Sequence, residues 1–99
     1  MEGFKPVYAS VTTTGSDVTV FTPGDNYVAL VPYIRFYNSG TADATVTIKD
    51  GTNTVFTGIK VTAGGEKELD FADKPIRFEN SFVVNTDQAV DVTILVKEI

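Results

Sequence analysis

The sequence predicts an all-β fold, an antiparallel β-sandwich of about eight short strands, and three observations predict it. Valine and threonine dominate while leucine occurs only at Leu30, Leu69 and Leu95; residues branched at Cβ suit a pleated sheet and disfavour a helix. Apolar side chains recur at every second position in short runs. Clusters of Gly, Pro, Asn and Asp separate those runs at intervals of roughly 8–12 residues. So close a spacing leaves no room for crossover helices, and the strands should pair antiparallel. Eight strands would make a jelly roll and seven an immunoglobulin-like sandwich. The 99 residues are the length of one domain, with no linker or long repeat to divide 1–99.

The first expected strand is Val7 to Thr13, with Val7, Ala9 and Val11 on one face. Thr14-Gly15-Ser16-Asp17 turns the chain into a second, Val18 to Phe21. Pro23-Gly24-Asp25-Asn26 reads as a loop, because proline presets φ and Gly and Asn tolerate positive φ. The longest candidate, Tyr27 to Tyr37, is substantially apolar on both parities: Val28, Leu30, Pro32, Ile34 and Phe36 against Tyr27, Ala29, Val31, Tyr33, Arg35 and Tyr37. Pro32 cannot donate to a ladder, so it marks an edge, a bulge or a break. After Asn38-Ser39-Gly40-Thr41, the alternation of Ala44, Val46 and Ile48 leads through Asp50-Gly51 to Val55, Thr57 and Ile59. Asp-Gly between two alternating runs signals a hairpin whose turn residues accept positive φ. Ala63-Gly64-Gly65 breaks the chain before Glu66 to Phe71. Asp73-Lys74-Pro75 turns into one or two strands across Ile76 to Val84, around Asn80-Ser81. Asn85-Thr86-Asp87-Gln88 precedes the last strand, Val90 to Ile99.

Composition narrows function by subtraction. The net charge of −5, with eight scattered basic residues, argues against a nucleic-acid partner, which needs clustered Lys and Arg to displace counterions. Without cysteine there is neither a disulfide nor a thiolate metal site, and without histidine the commonest general base and metal ligand are missing. No run approaches the ~18 apolar residues of a membrane span, and Met1 to Pro6 holds no signal-peptide core. The expectation is an intact, soluble, non-enzymatic chain that folds in a reducing cytoplasm and carries no cofactor.

Few residues remain as candidates. Glu66, Glu68 and Asp70 share one strand face, and converging oxygens could hold Ca²⁺. Carboxylates along one extended strand splay in a row, however, and read better as a solvated face; any glycosidase pairing of acids has the same surface explanation. Thr12, Thr13 and Thr14 could offer hydroxyls to ice or sugar, but read as an exposed strand face. Tyr27, Tyr33 and Tyr37 share one parity of a strand whose other parity is already apolar. They could form a protein interface or a sugar-stacking platform, or be covered by the second sheet. The surplus apolar face favours a homo-oligomer.

The run from Ile34 through Ser39-Gly40-Thr41 to Thr45-Val46-Thr47-Ile48-Lys49-Asp50-Gly51, with the later Ala63-Gly64-Gly65 and Ala89-Val90-Asp91-Val92-Thr93-Ile94, resembles small β-sandwich virion proteins of tailed bacteriophages. The similarity is to the capsid decoration and head-fibre-base type, and spans Val28 to Val96. It implies a homotrimer made in the bacterial cytoplasm and seated on the major capsid protein lattice of the virion. There it would cement the lattice or present a surface to the host. On that reading Met1 to Pro6 is an arm, with Phe4 as a contact, that reaches a neighbouring subunit. The residues alone leave open a carbohydrate-binding module instead.

Overall fold

The computed structural model describes residues 3–99 and contains nine strands: β1 (Lys5–Val11), β2 (Asp17–Phe21), β3 (Ala29–Tyr37), β4 (Ala44–Asp50), β5 (Asn53–Val61), β6 (Glu66–Asp70), β7 (Ile76–Phe78), β8 (Phe82–Thr86) and β9 (Val90–Glu98). They form two sheets. The front sheet runs β1-β9-β3-β6, with β7 on the same side of β3 as β6 but at its other end; the back sheet runs β2-β8-β4-β5. Every pairing is antiparallel. First pairs with last, second with next to last, and so inward to the β4–β5 hairpin. That order is the jelly roll and excludes the immunoglobulin arrangement.

The stretch from Ile76 to Val84, expected as one or two strands, is two, in different sheets, so the count is nine. The crossing at Glu79-Asn80-Ser81 is fixed from far away in sequence. Asp50 Oδ2 accepts from the Glu79 amide at 3.0 Å, and Oδ1 accepts from the Asn80 and Ser81 amides at 2.8 and 3.2 Å. The hairpin expected at Asp50-Gly51 is present but sits one residue later. Asp50 pairs with Asn53, and Gly51-Thr52 make the turn. Positive φ is needed only at Gly51 (+62°), as in a type II′ turn. A Cβ there would also lie 3.0 Å from that of Asn80.

The core lies between the sheets. It contains Val31, Ile34 and Phe36 from β3, Val92, Ile94 and Val96 from β9, Val46 and Ile48 from β4, and Phe78, Phe82 and Val84. Phe78 and Phe82 pack edge-tilted at 5.0 Å between ring centres. Two polar side chains are buried among the described residues, Asn38 and Thr86. Asn38 closes one end of the sandwich, donating to the Ala42 and Val61 carbonyls and accepting from the Gly40 amide.

Pro32 sits at a bulge. Leu30 pairs with Lys97 and Tyr33 with Leu95, so β3 spends one more residue than β9 across that step. The β3 partner on the other side also changes there, from β7 to β6. The bulge reverses the parity of β3. Ala29 and Val31 point inward before it; Pro32, Ile34 and Phe36 point inward after it. This explains why both parities read as apolar: the strand buries one face and exchanges odd for even numbering midway.

Candidate functional site: the outer face of the front sheet

Register assigns the outward side chains of the front sheet to rows. Pro6, Leu95, Tyr33 and Asp70 make one row; Tyr8, Thr93, Arg35 and Glu68 the next; Ser10, Asp91, Tyr37 and Glu66 the third. At the Pro6 end, Lys97 and Leu30 pair on adjacent strands, and Leu30 pairs with Arg77 on β7. The Lys97 Nζ lies 5.8 Å from the centre of the Phe4 ring, which places Phe4 beside this end. The face therefore sets aromatic and aliphatic side chains among charged ones, with Arg35 near its middle and Asp91, Lys97, Arg77 and the β6 carboxylates around its margin.

Tyr33 and Tyr37 stand where the sequence reading put them, half-exposed on β3. Tyr27 does not join them. It precedes β3, just after Pro23–Asn26, where its amide donates to the Gly24 carbonyl at 3.0 Å. The parity that seemed to unite the three tyrosines is broken by the Pro32 bulge. Tyr8, absent from the predicted set, is the most exposed large hydrophobic side chain among the described residues, at 72%. The inward alternation of Val7, Ala9 and Val11 carried that signal, since the residue between Val7 and Ala9 must point outward. Phe4 is half-buried beside Lys97, while Lys5 and Pro6 already pair in β1. Of the expected arm, therefore, only residues before Lys5 precede the sheet, and Met1 and Glu2 lie outside the described residues.

The acidic row follows β6 along the margin of this face, and its three carboxylates have no common focus. Glu66 forms an ion pair with Arg35, whose Nε also donates to it at 2.8 Å. Glu68 is paired across the sheet with Arg35 and borders Tyr33. Asp70 accepts from the Ala72 amide at 2.9 Å. Among the described residues no three acidic side chains converge as a metal site would require. Thr12, Thr13 and Thr14 fall beyond the end of β1, in exposed loop rather than on a strand face.

Local electrostatics follow from these neighbours. Burial, and then the adjacent Glu68 carboxylate, push the Tyr33 phenol above its ordinary range. The Arg35 guanidinium is held protonated more firmly by Glu66 and lies 5.9 Å from the centre of the Tyr37 ring. Ser10 donates to Asp91 at 2.9 Å. A shallow trough follows the β1–β9 seam past Tyr8, Ser10 and Asp91 and continues to Tyr37 and Ser39.

The chain matches no protein-family model and no curated protein.

Proposed function

We propose that the protein is a non-enzymatic viral structural protein, a bacteriophage capsid decoration protein or another virion component, that acts through protein–protein contacts. The observation that carries this reading is the outer face of the front sheet. Tyr8, Tyr33, Tyr37, Leu30 and Leu95 are set out on rigid strands with a polar and charged rim. Large amphipathic side chains inside a charged margin are the anatomy of a contact surface. The jelly roll supports the same reading, since its two flat outer faces and few free edges suit a protein that adds surface to a lattice. So does the likeness of the Ile34–Gly51 run to phage virion proteins. That likeness implies a homo-oligomer, a trimer, seated on the major capsid protein lattice of the virion after synthesis in a bacterial cytoplasm.

The test is cosedimentation with capsids assembled from the capsid protein encoded beside this chain's own gene. Wild-type protein should travel with the particles, and Tyr33→Ala should stay in the supernatant. A gene neighbourhood without virion proteins, or particles that retain the variant fully, overturns the reading. The trough between Tyr8 and Tyr37, floored by Ser10 and Asp91, favours a second reading as a carbohydrate-binding module. In that case Tyr8→Ala abolishes retention on a polysaccharide column by a monomeric protein.

A further inference from the structure

The outward residues of β9 read Lys97, Leu95, Thr93 and Asp91 along the centre of the front sheet: a cation, two uncharged side chains, then an anion. Six residues of strand separate the charges by about 20 Å. Among the described residues, neither belongs to an ion pair within the chain. The pattern reverses in sign when it is turned end for end. We propose that the front face docks on the same face of a second copy, strands antiparallel, about a two-fold axis that crosses β9 between Leu95 and Thr93. This rests on reading that face as a contact surface; it makes a second copy the occupant in solution, through a two-fold contact in place of the trimer that the likeness implies.

The register decides what meets what. A two-fold axis lying in the interface across the strands keeps each strand opposite its own copy and reverses its direction, which makes the contact isologous. Lys97 then faces Asp91 of the second copy, and Asp91 faces its Lys97. Leu95 meets Thr93 and Pro6 meets Tyr8 at the centre. Arg35 comes over the ring of the second copy's Tyr33, a favourable cation–ring arrangement. At the β6–β7 margin Arg77 approaches Glu66. The exception is Glu68 opposite Asp70 midway along that margin, a like-charge contact that weakens the dimer; where facing sheets cross at about 30° it is the corner pair, Arg77 and Glu66, that is held farther apart. Four strands at ~4.8 Å and four rows at ~6.8 Å give a footprint of roughly 400–500 Å² per copy. The total, near 1,000 Å², lies at the low end for a specific interface, so the dimer is weak and concentration-dependent.

Sedimentation equilibrium of the full chain, in low and in high salt, tests this. Wild type should follow a monomer–dimer equilibrium whose affinity falls with salt, because the terminal charge pairs are solvent-exposed. Lys97→Asp and Asp91→Lys should each weaken the dimer at least about fivefold by placing like charges opposite one another, and the double reversal should restore it. Should a single reversal fail to fold by circular dichroism, Lys97→Gln with Asp91→Asn removes both pairs, and the dimer should weaken and depend on salt less than wild type. A wild type that stays monomeric at several hundred micromolar overturns the proposal. So does an oligomer, three-fold or other, that ignores the swaps. A monomer that still sediments with capsids would sink the self-contact and leave the proposed function standing, whereas a dimer that ignores capsids would do the reverse.

Discussion

The two outer faces of this sandwich follow the same alternation and hold the same core between them, yet they end differently. On the back sheet the outward side chains are mostly polar, with Val83 covered among them, and several are partnered within the face. Thr47 and Thr57 hydroxyls lie 3.1 Å apart, Asn85 donates to Asp17 at 2.9 Å, and Lys49 lies 3.0 Å from the same carboxylate. On the front sheet the corresponding positions hold Tyr8, Tyr33, Tyr37, Leu30 and Leu95. Closing a jelly roll requires only inward apolar residues, and the back sheet meets that requirement with threonine and lysine outside. The fold therefore does not account for aromatic side chains outside the front sheet. They hold apolar area in water at a cost of about 25 cal/mol per Å², which covering it would recover.

The largest effect should come from leaving both outer faces alone and cutting the core they share. Ile94 and Leu95 are neighbours on β9, one fully buried and the other outward. Ile94→Ala should cost about 2–5 kcal/mol in urea unfolding, through lost transfer energy and a residual cavity. Leu95→Ala should cost under about 1.5 kcal/mol and act mainly on association. Equal losses at the two positions would mean that the front face is structural core rather than contact surface.

Next in size is the Asp50 clamp at the tip of the back sheet. Asp50→Ala leaves three backbone amides without their acceptor and should cost about 1–3 kcal/mol. It should leave self-association at its wild-type value. A change in dimer affinity without a change in stability would reverse the roles assigned to the two sheets.

That clamp also marks where the sequence stopped being legible. The strands themselves were readable because alternation and turn chemistry are local: Val7, Ala9 and Val11 point inward as expected, and the hairpin after Ile48 forms. The turn slipped by one residue because Asp50 is held by residues 79–81, a contact some thirty positions away that no local pattern contains. The move from front to back sheet at Asn80-Ser81 is hidden for the same reason. The tyrosine face was half legible. Tyr33 and Tyr37 were found, Tyr27 was included by counting parity through Pro32, and Tyr8 was passed over although its neighbours fixed its direction. Pro32 was identified as a possible bulge, but a bulge matters to a parity count only when the count is restarted after it.

A smaller effect on stability sharpens the contrast between faces. Tyr33→Ala, at a half-exposed position, should lower stability by about 1–2 kcal/mol and abolish dimerisation in the ultracentrifuge. Thr47→Ala on the back sheet should change stability by less than about 1 kcal/mol and association not at all. If Thr47→Ala weakened the dimer as much as Tyr33→Ala, the second copy would be docking on the wrong sheet.

The finest distinction is in pH. On the back sheet, hydrogen bonding from Asn85 and then Lys49 hold the Asp17 carboxyl below its ordinary value of 3.8. Its contribution to stability is complete above 3.8 and is lost as pH falls through the lower folded value, so Asp17→Asn should flatten the acid limb of the stability profile. On the front sheet the shift has the opposite direction. The Tyr33 phenol, raised above 10.0 by burial and by Glu68, keeps its proton longer in the folded chain. Stability from this group is undiminished below 10.0 and declines as pH climbs from there toward the raised folded value. An alkaline absorbance titration should contain a component above the ordinary phenol range, and Tyr33→Phe should remove it. A second copy covering the face would bury the phenol further and delay that component as protein concentration rises. A titration identical at concentrations that span the dimer equilibrium would place Tyr33 outside the self-contact.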